Sequence, residues 1–93
     1  MKTIYKYPLL LVDTQTIPIQ GLSEILCVKD QCGVLTMWAE LDTEDKDLHN
    51  VDVYIVGTGN PITFETKYME SPQYFDSVIA RNGFVWHFYI KKW

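Results

Sequence analysis

Residues 74–91 read Tyr74-Phe75-Asp76-Ser77-Val78-Ile79-Ala80-Arg81-Asn82-Gly83-Phe84-Val85-Trp86-His87-Phe88-Tyr89-Ile90-Lys91. In the second half, Phe84, Trp86, Phe88 and Ile90 alternate with Val85, His87, Tyr89 and Lys91. A pleated strand has this period of two and a helix does not. The aromatic and β-branched content suits a strand as well. Tyr74 to Arg81 is extended in the same way, and Asn82-Gly83 is the dipeptide that tolerates the positive φ angles of a type I′ turn. The expectation is a hairpin at the structural centre of the domain with Trp86 buried, because a one-residue slip would turn four large side chains outward.

Working outward, Val51, Val53 and Ile55 alternate with Asp52, Tyr54 and Val56, a second strand with one buried face. Glu24 to Asp30 and Val34 to Leu41 form another hairpin, joined by a short link whose Gly33 can take a left-handed conformation. Its second strand places Leu35, Met37, Ala39 and Leu41 on one face and Val34, Thr36, Trp38 and Glu40 on the other, so Trp38 is either covered by a further layer or part of a contact patch. Thr3 to Tyr7 and Thr14 to Ile19 are shorter extended pieces, with Pro8 and Pro18 at positions that suit sheet edges. Asp42 to Asn50 is a polar link, and Thr58 to Pro72 is irregular, with Phe64 to Met69 able to form one helical turn. The fold class expected is mostly β, or α+β if that helix forms. Its architecture is an antiparallel curled sheet of six or seven strands, closed as a small barrel or folded over as a sandwich.

Ninety-three residues make a single domain, 1–93. With 47% hydrophobic and 22% charged residues the chain has a globular composition and is expected to fold alone. A net charge of −4 and a pI of about 4.9 disfavour duplex nucleic acid, which is held by clustered Lys and Arg. The longest apolar run, Leu9-Leu10-Leu11-Val12, is far short of the roughly 20 residues of a membrane helix. It also lacks the length and cleavage site of a signal peptide, so no membrane association and a cytoplasmic location are expected. Cys27 and Cys32 are too few for a disulfide framework and are expected to be buried free thiols.

Three segments carry a family resemblance: Lys6-Tyr7-Pro8-Leu9, Ile55-Val56-Gly57-Thr58-Gly59-Asn60-Pro61-Ile62 and Val85-Trp86-His87-Phe88. In these segments and their order the chain resembles a group of short uncharacterised proteins encoded by tailed bacteriophages. The resemblance spans most of the chain and implies a viral origin and the host bacterial cytoplasm. The family lends no activity and hence no functional residues. Accessory phage proteins of this size often act by binding and disabling a host component, either a defence-system protein or the nucleotide signal it uses.

Gly57-Thr58-Gly59-Asn60 follows a strand, and its glycines could let backbone amides approach an anion, with Trp86 stacking on a base and His87 nearby. The competing reading is a rigid turn closed by Pro61, since neither the dinucleotide fingerprint nor the phosphate-loop motif is present. His87 has no nucleophile or carboxylate at a recognisable spacing and reads as a histidine hydrogen-bonded across the sheet, while His49 reads as solvated. Cys27 and Cys32 match no zinc spacing, so neither metal nor cofactor is expected. Five carboxylates fall between Glu40 and Asp47, namely Glu40, Asp42, Glu44, Asp45 and Asp47. They are either a solvated loop or an acidic patch that meets a basic surface. Tyr5, Tyr7, Trp38, Tyr54, Tyr68, Tyr74, Tyr89 and Trp93 exceed what so small a core can hide, so some should be exposed.

The function expected is a non-catalytic phage accessory protein that binds and modulates a host protein, a defence-system component being one such target, through Trp38 and the acidic residues. The alternative is a small-molecule or nucleotide-signal sequestering protein. For that reading a homo-oligomer stays open, because a pocket between subunits would need only one or two cations.

Overall fold

The computed structural model describes residues 1–92 and is a β sandwich. Seven strands run β1 (Lys2–Pro8), β2 (Thr14–Gln20), β3 (Leu22–Gln31), β4 (Val34–Asp42), β5 (Leu48–Gly57), β6 (Gln73–Ile79) and β7 (Val85–Lys92). They form two antiparallel sheets, ordered β1-β4-β3 and β2-β5-β7-β6. The sandwich form is realised and the closed barrel is not. Among the described residues there is no helix, and so none long and apolar enough to cross a membrane.

The alternating residues pack as their period requires. Leu35, Met37, Ala39 and Leu41 of β4 are buried, as are Val51, Val53 and Ile55 of β5 and Phe88 and Ile90 of β7. Ile25, Val28, Ile19, Val78 and Leu9 complete the same core. Residues on the inner faces of two stacked sheets interdigitate in this way, leaving the alternate residues outside.

The hairpin of β6 and β7 is present, but its turn differs from expectation. The positive φ falls on Gly83, at 92°, and not on Asn82. Ala80 N donates to Phe84 O at 2.7 Å and Gly83 N to Ala80 O at 2.8 Å. This is a three-residue loop with a left-handed glycine at its third position, rather than a two-residue type I′ turn. Asn82 instead uses its side chain, whose Oδ1 accepts the Phe84 amide at 3.1 Å. The type I′ turn lies in the other hairpin, where Cys32 (φ 52°) and Gly33 (φ 89°) separate the Gln31–Val34 pair. Cys32 is therefore exposed, and Cys27 is half-buried opposite Trp38, so neither free thiol is in the core as expected.

Phe84 and Trp86 are also corrected. Phe84 lies one residue beyond the last ladder pair, Ile79–Val85, and is 64% exposed. Trp86 is half-buried against the core, with Phe84 leaning on it at 6.1 Å between ring centroids. Phe64 to Met69 does not become a helix. Glu65 Oε1 accepts the amides of Thr66 and Lys67 at 2.9 and 2.8 Å, local bonds that compete with a helical ladder. Phe64 meanwhile packs on Tyr54 and Tyr89, at 4.5 and 5.3 Å.

The sandwich is closed along one side and open along the other. On the closed side Asp30 ties the two hairpin turns together: Oδ1 accepts Gly33 N at 2.7 Å and Oδ2 accepts Arg81 N at 2.6 Å. On the open side β1 and β2 are free edges. Leu9 N donates to Leu35 O and Ile55 N to Asp13 O, which fixes the hydrogen-bonded pairs of both ladders. Counting along the register, Pro8 and Pro18 fall at the alternate pairs, so each presents its donor-less nitrogen to the open edge and blunts it.

Candidate functional site

The link from β4 to β5 crosses between the sheets, and Gly21, at the corner from β2 to β3, anchors it. Gly21 N donates to Asp47 O at 2.9 Å and Asp42 N to Gly21 O at 2.8 Å. The link is further shaped by its own carboxylates. Asp42 Oδ1 accepts the Glu44 amide at 3.0 Å and Asp45 Oδ1 the Asp47 amide at 2.9 Å. These Asx turns explain why Asp stands at both positions.

Between this link and β1 lies a cleft of about 260 Å³, lined by Thr3, Tyr5, Tyr7, Gln20, Asp42 and Asp45 among others. Tyr5 and Tyr7 pair with Ala39 and Met37, so they belong to the inner face of their sheet. The opposite sheet does not extend over them: Tyr5 is 57% exposed, and Tyr7 is half-buried at the margin of the core. Burial, with Tyr5 adding to it, pushes the Tyr7 hydroxyl above its usual 10.0, so it stays a neutral donor. The Asp42 carboxyl is held below its usual 3.8, first by the Glu44 amide and then by the N-terminal ammonium 3.5 Å away and by Lys2, burial opposing them. Asp45 Oδ2 lies 3.5 Å from His49 Nε2, which places His49 half-buried at the start of β5 rather than in open solvent. Lys46, also in the lining, donates to Thr43 O at 3.2 Å. The cleft therefore offers two phenol faces beside two carboxylates, a setting for a cationic side chain.

The acidic set is divided by the fold. Asp42 and Asp45 line the cleft, Glu44 and Asp47 are exposed on the link, and Glu40 lies on the outer face of the three-stranded sheet, 3.5 Å from Lys2. Trp38 shares that outer face, half-buried between Lys6 and Cys27 in the register, with no further layer over it. Tyr5 and Tyr7, rather than Trp38, are the aromatics next to the acidic link. Both were visible as part of the aromatic surplus, but only the pairing of β1 with β4 brings them here. Trp93, another of that surplus, lies outside the described residues.

The glycine turn is likewise split across a sheet. Gly57 to Asn60 is closed by Asn60 N to Gly57 O at 3.0 Å with Gly59 at φ 90°, the pattern of a type II turn. Gly57 pairs with Trp86, and a Cβ on it would lie 3.1 Å from the indole and 2.9 Å from Asn60 Nδ2. A side chain there would have to displace the Asn60 amide and press on the indole. Thr58 turns to the opposite face, where its Oγ1 meets His87 Nε2 at 2.7 Å. His87 Nδ1 meets Ser77 Oγ at 2.7 Å, and Ser77 meets the Tyr74 hydroxyl at 2.5 Å. This chain of hydroxyls occupies both ring nitrogens of His87, with no carboxylate to orient the ring as a general base requires. Trp86 and His87 point to opposite faces of the sheet and do not converge on one ligand. Among the described residues no group of three or more His, Cys, Asp or Glu could hold a metal ion.

The fold is thus a seven-stranded sandwich with aromatic and acidic residues on its open side. The chain belongs to the family described as Domain of unknown function (DUF7352), whose model matches residues 1–92. No curated protein and no solved structure matches it.

Proposed function

We propose that the protein is a non-catalytic binding module of phage origin that engages a basic surface of a host protein, in the host cytoplasm, through the cleft between β1 and the β4–β5 link. The observation that carries this reading is the juxtaposition of Tyr5 and Tyr7 with Asp42 and Asp45 on the open side of the sandwich. Aromatic faces and carboxylates together favour an Arg or Lys side chain, and the net charge of −4 would steer a basic partner toward the module. The sequence resemblance supports the phage origin, and the hydroxyl-only environment of His87 supports a non-catalytic role.

The test is capture from bacterial lysate with the whole chain as bait, repeated with Tyr5→Ala and with Asp45→Ser. One dominant captured protein should be retained less by both variants, and its association should slow as salt is raised. Capture of nothing, or capture that both folded variants leave unchanged, would overturn the reading.

A further inference from the structure

The longest apolar run of the chain is not buried. Only Leu9 enters the core, while Leu10 and Leu11, in the β1–β2 connection, are 68% and 59% exposed. They share a groove of about 290 Å³ with Val34, Gly33, Ala80 and Trp86. On the other side of Trp86 a second groove, about 380 Å³, is bordered by Phe84, Gly83 and Thr58. The end of the sandwich that carries the two hairpin turns is therefore an apolar surface of projecting Leu10, Leu11 and Phe84 beside hollows on both flanks of one indole.

We infer that this end is a self-association surface, and that a second copy of the chain docks there end to end. Charge is the first reason. A chain of net charge −4 repels its own copy, so a self-contact costs least where few charged groups have to be desolvated. The outer face of the three-stranded sheet carries Lys2 and Lys6 beside Glu24 and Glu40, that of the four-stranded sheet carries Asp52 opposite Lys91, and the cleft carries Asp42 and Asp45. In the two grooves beside Trp86 the one ionisable residue is Asp30, and both its oxygens accept backbone amides from the hairpin turns.

Size is the second reason. The exposed parts of Leu10, Leu11, Val34, Phe84 and Trp86 amount to on the order of 500 Å² of apolar surface, the size of patch, roughly 300–600 Å², that on a monomer is often functional. A standard interface of roughly 800 Å² per partner would add a polar rim to such a patch. The projections and the hollows lie on the same surface, as a self-complementary contact demands. Addition of strands at the open edges is the other common route to a β dimer, and Pro8 and Pro18 obstruct it. The apolar end lies at the opposite pole from the acidic link, so a dimer would leave both clefts facing outward.

Sedimentation equilibrium of the whole chain, from micromolar to submillimolar concentration, tests the inference. The mass should rise from 10.9 kDa toward twice that value. Leu11→Glu and Phe84→Glu should each weaken association by roughly a hundredfold or more, because each sets two like charges in a desolvated contact. Both sites are exposed in the monomer, so circular dichroism and the urea midpoint, taken at the lowest concentration where the wild type is monomeric, should stay as in the wild type. Ile4→Glu, on the outer face of the three-stranded sheet, should associate as the wild type does. A wild type that remains at 10.9 kDa throughout overturns the inference, including the case in which Leu11→Glu loses a captured host protein, for then the end belongs to that partner. Association unaffected by either Glu variant, or equally abolished by Ile4→Glu, overturns it too.

Discussion

Gly21→Ala should be among the most damaging single-methyl additions in this chain, and Gly33→Ala is its control. Both glycines have positive φ, 75° and 89°. An L side chain in that region costs about 1–2 kcal/mol at either site. They differ in space. A Cβ at Gly33 meets nothing within 4 Å, whereas at Gly21 it would stand 2.4 Å from the backbone oxygen of Asp42 and 3.0 Å from that of Asp45. The Asp42 carbonyl cannot swing aside freely, because the Asp42 amide is bonded to Gly21 O at 2.8 Å and the residue closes β4. Overpacking against fixed backbone adds roughly 1–3 kcal/mol, for a total of about 2–5 kcal/mol at Gly21 against about 1–2 kcal/mol at Gly33. A domain of this size has on the order of 5–14 kcal/mol of stability in all. In urea unfolding at constant m, near ~1 kcal/mol/M for a small domain, the midpoint should fall by about 2–5 M for Gly21→Ala, if the variant folds at all, and by about 1–2 M for Gly33→Ala. Equal costs would show that the Asp42 carbonyl yields to the methyl group, and that the corner joining the two sheets is not the rigid anchor of the acidic link described above.

Two further outcomes follow from burial and charge. Phe88→Ala should cost about 3–5 kcal/mol, since Phe88 is fully buried, and Trp86→Ala only about 2 kcal/mol, since Trp86 is half-buried; a reversed order in urea unfolding would contradict the placement of the β7 side chains. Asp42 has a lowered pKa in the fold, so its contribution to stability is fully present above the unfolded-state pKa and is lost as pH falls through the folded-state value. Asp42→Asn should therefore be less stable than the wild type at neutral pH, with the gap closing as urea midpoints are followed down to about pH 2; a gap constant with pH would mean that the carboxylate charge is not what stabilises the turn.

Much of the fold was legible because its signals are local. Alternation at Val51, Val53 and Ile55, and at Leu35, Met37, Ala39 and Leu41, needs only the two-residue repeat of a strand, and every one of these residues is buried. The prolines at Pro8 and Pro18 were readable as edge residues for an equally local reason, the missing donor. Turn chemistry was less dependable. Asn82-Gly83 and Cys32-Gly33 both permit positive φ, and which hairpin adopts the two-residue form is decided by strand register: Gln31 pairs with Val34, whereas Ile79 pairs with Val85 across a longer span.

The candidate site was barely legible, since its residues come from elements far apart in the chain. The acidic segment could be seen at once, but Tyr5 and Tyr7 reach it only through a pairing of β1 with β4 that closes over some thirty intervening residues and that no local pattern specifies. The same holds for Thr58, His87, Ser77 and Tyr74, drawn into one hydrogen-bonded chain by the order β5-β7-β6. The sequence by itself determined which segments are strands and, for β4 and β5, which face is apolar, because φ/ψ preference and side-chain alternation act within a few residues. The tertiary structure alone decided which strands are neighbours, which edge of the sandwich stays open and which apolar residues remain outside. Those outcomes follow from burying one common core, a condition met by the assembled sheets and by no strand alone.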